Sequence, residues 1–353
     1  MSAAAVATTP AASAAAWPAF PGGKEVTVAP LATVDLGRLI AKDVAEVAKL
    51  LDVCKTHGFF YLDLQTCEPG RQILEAEQGL LRFMERFFGQ PLDVKMLEDR
   101  KSHTHGFKPV GTFSGTKNGT RDCYETLKVS RAEMVEKSPK LPEDVKKQEQ
   151  LFDTFISLSH LITQTLLERL SDALGLAGPA RLEQFHRDGE DTNTTLVMLH
   201  YPPSDSDDTI GHNKHTDIGS ITLLFSEQWG LQVWSPETDS WAFIQPRPRG
   251  HATINVGDSL RFLSQKQLYS CLHRVIPPVG GRQSEDRYSI AYFLRPENNA
   301  VYEDPTGKKV TAREWHDNKY VMFGEPHVKQ EASPMLTGGM EPILGSRTIE
   351  VAN

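Results

Sequence analysis

The chain has 353 residues, enough for one large domain or two ordinary ones, and a hydrophobic fraction of 39% that supplies a core without covalent staples. Its 38 basic and 46 acidic residues give a formal net charge of −8, which opposes the electrostatic footprint of a nucleic-acid binder, and no apolar run approaches the ~18 residues of a membrane span. Cys54, Cys67, Cys123 and Cys271 are widely spaced with no CxxC pair, arguing against a disulfide framework or a cysteine-rich zinc site and for a reducing, cytoplasmic setting.

Residues 1–24, opening MSAAAVATTPAASAAAWPAF, lack the basic stretch and the arginines of a targeting peptide and are expected to form a disordered leader. A helical and strand region is expected over 25–190. In it VTVAPLATVDL reads as a strand, and LIAKDVAEVAKLLDVCKTHG carries apolar residues at helical spacing and stops at Gly58. FFYLDL follows as a short buried strand. Helical patterns cover 75–88 and 143–176, the second long enough for a backbone helix, while HTHGFKPVGTFSGTKNGTRDCYETLKV between them is Gly- and Thr-rich and strand-like.

From residue 191 to 300 the pattern changes to short strands separated by turn residues: TLVMLHYPP, SITLLF, LQVWSP, WAFIQPRP, HATINVGDSLRFLS, CLHRVIPP and RYSIAYFLRP. Helices first and strands later make an α+β chain, and this many evenly punctuated strands suggest a jelly-roll, or double-stranded β-helix, core flanked by helices. Residues 301–353, with TAREWHDNKYVMF, are expected to add a helical segment and a tail within a single structural domain.

Two HxD pairs compete for attention. His186 and Asp188, in the acidic, Gly-containing FHRDGED, read as a solvated surface turn. His215 and Asp217, in GHNKHTDIGS, stand where a buried strand begins, and positions i and i+2 of a strand share a face. His273 in CLHRVIPP offers a third ligand, and two histidines with one carboxylate leave the open face typical of non-haem Fe(II) oxygenases. Arg287 and Ser289 of RYS share a strand face and can hold a carboxylate through a charge-assisted fork and a hydroxyl. Asp258 in NVGDSL reads as a hairpin turn former, and His200, His212 and His251 as structural or pocket-rim residues.

The set HTD, HRV and RYS, with HYPP before it and GLQVW, INVGDSL and LYSCLHRV between, resembles the isopenicillin N synthase-like branch of the Fe(II)/2-oxoglutarate-dependent dioxygenases. VDL, CKTHGFFYL and RFFGQPLDVK extend the resemblance, so that it covers roughly residues 28–296. It implies that His215, Asp217 and His273 bind Fe(II). Arg287 and Ser289, with Tyr201 as a further contact, would bind the distal carboxylate of 2-oxoglutarate, O2 being the second co-substrate. Leu199 stands where the family often has Asn, and the interval from His273 to Arg287 is about four residues longer than usual, lengthening the hairpin PPVGGRQSED.

The implied reaction is hydrogen abstraction leading to hydroxylation, desaturation or ring rearrangement, with succinate and CO2 as co-products. By analogy with that branch, the substrate is a small specialised metabolite rather than a nucleic acid, membrane or obligate protein partner. Phe107, Phe113, Tyr124 and His212 are candidates for its pocket wall. The alternatives are an Fe(II)/O2 oxidase of the same fold that does without 2-oxoglutarate, a non-catalytic module that binds a small acid, and a zinc hydrolase, for which spacing places no general base beside the ligands.

Overall fold

A computed structural model describes residues 18–115, 119–203, 211–235, 238–246, 250–276 and 285–340. Most of the expected leader, the C-terminal tail from 341 and nearly all of the PPVGGRQSED hairpin lie outside the described residues.

The N-terminal region contributes β1 (Thr33–Asp35), α1 (Leu36–Ile40), α2 (Val44–Thr56), β2 (Phe59–Asp63), α3 (Glu68–Phe88), α4 (Leu92–Met96), β3 (Gly106–Lys108), β4 (Glu125–Ser130), α5 (Arg131–Val135), α6 (Glu143–Lys146) and the long α7 (Glu149–Ala173). The single helix expected before Gly58 is two. Lys42 takes a positive φ of 58°, and the Asp43 side chain accepts from the Glu46 N–H and starts α2 afresh.

The strand-rich region follows with β5 (Thr195–Tyr201), β6 (His212–His215), β7 (Ile221–Phe225), β8 (Leu231–Ser235), β9 (Ser240–Phe243), β10 (His251–Val256), α8 (Asp258–Leu263), β11 (His273–Val275) and β12 (Arg287–Leu294). A small hairpin, β13 (Val301–Glu303) and β14 (Lys309–Thr311), leads to α9 (Ala312–Gly324) and α10 (His327–Ala332). The expected strand through INVGDSLRFLS ends early. Gly257 packs so close that an added Cβ would lie 2.3 Å from the Gly219 carbonyl oxygen, and the chain turns into α8. Asp258 is therefore the first residue of a helix and fully buried, where a hairpin turn was expected.

Besides the β13-β14 hairpin, the described strands form an eight-stranded sheet ordered β1-β2-β10-β7-β12-β5-β4-β3 and a four-stranded one ordered β6-β11-β8-β9. The jelly-roll core with flanking helices is the expected architecture. Strand alternation divides the large sheet into two surfaces. Leu127, Leu196, Met198, Leu223, Ile254, Ile290 and Tyr292 join the helices' core, where α7 supplies Phe152, Phe155, Ile156 and Leu166. The intervening residues Val197, Leu199, Tyr201, Leu224, Asn255, Arg287, Ser289, Ala291 and Phe293 face the small sheet and line the space between the two.

The expected leader ends in contact with the barrel. Phe20 packs edge-on against Trp229 and Phe243, with ring centroids 5.1 and 5.0 Å apart, and the Ala19 carbonyl accepts from Trp229 Nε1 at 3.1 Å.

Candidate active site

β6 and β11 pair antiparallel with His215 directly opposite His273. Asp217 does not share a strand face with His215 as the spacing suggested, because β6 ends at His215. There the Thr216 N–H donates to the Leu336 carbonyl and the Asp217 carbonyl accepts from the Asp258 N–H, which carries the chain out of the small sheet toward β7. The three side chains still converge. One ligand atom from each lies within 4.8 Å of the other two, and all three residues are buried.

Hydrogen bonds fix which atoms face the shared point. His215 Nδ1 lies 2.7 Å from the Asn213 carbonyl and His273 Nδ1 lies 3.1 Å from the Cys271 carbonyl, so each ring donates there and leaves an Nε2 lone pair free. Those Nε2 atoms stand 3.6 and 3.5 Å from Asp217 Oδ1. The other carboxylate oxygen is occupied, since Thr222 Oγ1 donates to Oδ2 at 2.5 Å and Asn255 Nδ2 at 2.7 Å. Burial opposes ionisation of Asp217, but the facing imidazoles of His273 and His215 outweigh it and hold the carboxyl well below the usual carboxylate range. Burial, then His273, lowers His215. Two imidazoles and a carboxylate, each held from behind, form a donor set that fits a divalent iron with an open face.

Beside this cluster Arg287 and Ser289 project from β12 into a cavity enclosing about 590 Å³ up to its mouth. Arg287 Nε donates to the Trp229 carbonyl and Nη2 to Ser226 Oγ, both at 3.2 Å, while Nη1 is buried without a partner among the described residues. Its guanidinium carbon lies 4.9 Å from the Tyr201 ring centroid, and Ser289 Oγ lies 3.3 Å from Ser226 Oγ. Gly230 makes room for this arrangement. With φ at +135°, an added Cβ would stand 2.9 Å from the Ile276 carbonyl oxygen and 3.4 Å from Arg287 Nε. A buried cation with an idle donor, beside a hydroxyl and an aromatic face, suits an incoming carboxylate.

A second cavity, enclosing about 650 Å³, adjoins the first and shares Leu199, His212, His215, Asp217 and Phe293 with it. Of the expected wall residues, Phe113, Tyr124 and His212 line it. His212 stacks on His215 and Tyr124, with ring centroids 4.2 and 5.3 Å apart. Phe107 does not line it: on β3 its neighbour Lys108 takes the cavity face, and Phe107 turns the other way onto Phe87 in the helix-side core. Tyr320 and Phe323 of α9 complete its lining.

His186 and Asp188 are not the solvated pair expected. Asp188 is exposed and meets Arg131, but His186 is buried, its Nδ1 donating to the Leu182 carbonyl at 2.9 Å and its Nε2 lying 2.7 Å from Ser220 Oγ. Of the two roles expected for His200, structural or at the pocket rim, it has the structural one, bridging Glu125 and Asp286 on the helix side of the sheet at 2.8 and 2.6 Å. Sequence reasoning missed Thr222, Asn255 and Ser226, as well as the basic residues Lys108, Lys128 and Arg295 of the second cavity. The signal for Lys128 was strand parity, because Thr126 and Lys128 alternate on one face of β4, whose every residue is buried.

Residues 192–296 match the 2OG-Fe(II) oxygenase superfamily, and residues 31–152 match the region described as non-haem dioxygenase in morphine synthesis N-terminal. The chain is 46% identical to an oxidoreductase, vrtI, of Penicillium aethiopicum over 89% of its own length and 75% of that protein's. It is 45% identical to the 2-oxoglutarate-dependent dioxygenase frbH of Dothideomycetidae sp., over 90% and 97% of the two chains. Its fold superimposes on that of a full-length Neurospora crassa protein crystallised in complex with alpha-KG and thymine with a TM-score of 0.66, at 22% identity, covering 84% of this chain and 99% of that one.

Proposed function

The chain belongs to the 2OG-Fe(II) oxygenase superfamily, and from that premise we propose that His215, Asp217 and His273 hold Fe(II) while Arg287, Ser289 and Tyr201 hold the distal carboxylate of 2-oxoglutarate. The carrying observation is the pair of free Nε2 atoms facing the free Oδ1 of Asp217, beside a buried guanidinium with an idle donor. A centre of this kind supplies oxidation by O2 coupled to decarboxylation of 2-oxoglutarate to succinate and CO2, enough to remove hydrogen from an unactivated C–H bond.

The residues around it orient and exclude. Thr222 and Asn255 fix the carboxylate rotamer, the Asn213 and Cys271 carbonyls fix the imidazole tautomers, and the two sheets keep bulk water from the reacting carbon. The substrate is a small organic compound of specialised metabolism that enters the second cavity under Tyr320 and Phe323. That size class agrees with thymine in the Neurospora crassa structure. Its position relative to the metal, not a protein nucleophile, decides among hydroxylation, desaturation and ring rearrangement.

The test is decarboxylation of C1-labelled 2-oxoglutarate. Iron-reconstituted protein in air is expected to release labelled CO2 slowly without a substrate, and His215→Ala or Asp217→Ala to abolish the release. Release unaffected by both substitutions would overturn the assignment.

A further inference from the structure

The second cavity carries more positive charge than its own residues neutralise. Lys108, Lys128 and Arg295 all line it, and all three are buried. Lys108 is provided for: its Nζ donates to Asp122 Oδ2 at 2.5 Å and to the Tyr124 carbonyl at 2.8 Å. Lys128 Nζ donates to the His103 carbonyl at 3.0 Å and to the Tyr320 hydroxyl, and Arg295 Nη1 donates to the Asn193 carbonyl. Among the described residues neither Lys128 nor Arg295 forms an ion pair with a carboxylate, and Arg295 Nε is buried with no partner. Thr126 Oγ1, on the same face of β4 as Lys128, is likewise buried and unpartnered.

Charged groups taken out of water need a counter-charge or they destabilise the fold. Burial and then the neighbouring Arg295 push the Lys128 ammonium down to about 7, and the charge of Asp122, which Lys108 already pairs, offsets them only in part. The same β12 that presents Arg287 at one end of the sheet's inner face leads into Arg295 at the other. Besides the Lys108–Asp122 pair, the inner face therefore carries one cation on the 2-oxoglutarate side of the ligand cluster and two more on the other side.

We infer that the substrate is a small carboxylic acid, its carboxylate seated between Lys128 Nζ and Arg295 Nε with the Thr126 hydroxyl as a third contact. This rests on the proposed function, in which the first cavity takes 2-oxoglutarate and leaves the second for the substrate. One negative charge spread over two oxygens matches the set, one oxygen to each cation. The apolar remainder of the wall, Val197, Leu199, Ile218, Phe293 and Phe323, would enclose a carbon skeleton and hold a C–H bond near the ligand cluster.

The experiment uses the full chain loaded anaerobically with Mn(II). 2-Oxoglutarate is titrated first by calorimetry, followed by a panel of C2 to C8 mono- and dicarboxylic acids, α-amino acids and phosphate monoesters, each carboxylic acid beside its primary amide. At least one carboxylic acid is expected to bind tenfold or more tightly than its amide and more tightly than any phosphate monoester. Lys128→Met and Arg295→Met are each expected to weaken that binding at least tenfold while the 2-oxoglutarate affinity moves less than twofold. Failure of 2-oxoglutarate to bind would strike the underlying reading. Normal 2-oxoglutarate binding with no acid bound, with amides or phosphate esters bound as tightly as acids, or with acid binding indifferent to both substitutions would overturn the inference alone. The acid-to-amide comparison on the unaltered chain holds even if a variant fails to fold.

Discussion

Asn255 Nδ2 donates to Asp217 Oδ2 at 2.7 Å, a contact made across the interior from β10 to the loop after β6. Together with Thr222 it leaves a single carboxylate oxygen facing the two imidazoles. Outer contacts of this kind typically change metal affinity by about 10–100-fold. Asn255→Ala is therefore expected to weaken Mn(II) binding by about that factor while the circular dichroism spectrum stays native. Equal affinity in variant and parent would show that the carboxylate needs no such support.

The N-terminal segment is coupled to the Arg287 pocket through one residue. Trp229 donates from Nε1 to the Ala19 carbonyl, and its own carbonyl accepts from Arg287 Nε. Losing a half-buried hydrogen bond and the Phe20 ring contacts removes about 1–2 kcal/mol of local support. A chain lacking residues 1–24 is thus expected to bind 2-oxoglutarate several-fold more weakly than one lacking 1–17, as read by equilibrium titration. Identical affinities would make the Trp229 connection irrelevant to the pocket.

Lys319 of α9 is fully buried, donating to Asp258 Oδ2 at 2.5 Å and to Thr216 Oγ1 at 2.7 Å. This ties the C-terminal helix to the loop that carries Asp217. Removing one member of a buried ion pair leaves an uncompensated charge and costs about 3–5 kcal/mol. Lys319→Met should lower the denaturant midpoint accordingly, and a second substitution, Asp258→Asn, should recover part of the loss. A single variant as stable as the parent would contradict this role.

Burial pushes His186 down to about 4. An unfolded histidine titrates near ~6.5, so on acidification the unfolded chain takes up the proton first. Stability from this group is complete above about pH 6.5 and is lost as the pH falls toward 4, amounting to ~3 kcal/mol for the full shift. His186→Gln should be less stable at pH 7 yet show a flatter decline over that interval in chemical denaturation. An unchanged slope would assign the acid sensitivity to other groups.

Much of this was legible in the chain because both the strand pattern and the ligand motifs are local. Alternation placed Arg287 and Ser289 on one strand face, and the structure keeps them there. The same rule failed for His215 and Asp217, where β6 stops after four residues and loop hydrogen bonds, invisible to periodicity, bring the carboxylate round. Asp258 looked like turn chemistry because Lys319, its partner, lies far along the sequence. His186 looked solvated beside acidic neighbours, and only the fold brings Ser220 to it. Phe107 looked like a pocket wall because its aromatic character stood out more than its parity opposite Lys108.

The most direct test is an anaerobic titration of metal-free protein with Fe(II) and then 2-oxoglutarate, following the visible metal-to-ligand charge-transfer absorption of a chelated 2-oxo acid. The account predicts that the band forms with one equivalent of iron, that Asp217→Ala abolishes it, and that Arg287→Ala shifts its 2-oxoglutarate midpoint about 10–100-fold higher, as for loss of a charge-assisted contact. Iron binding without the band, or a midpoint indifferent to Arg287, would contradict the two-part site described here.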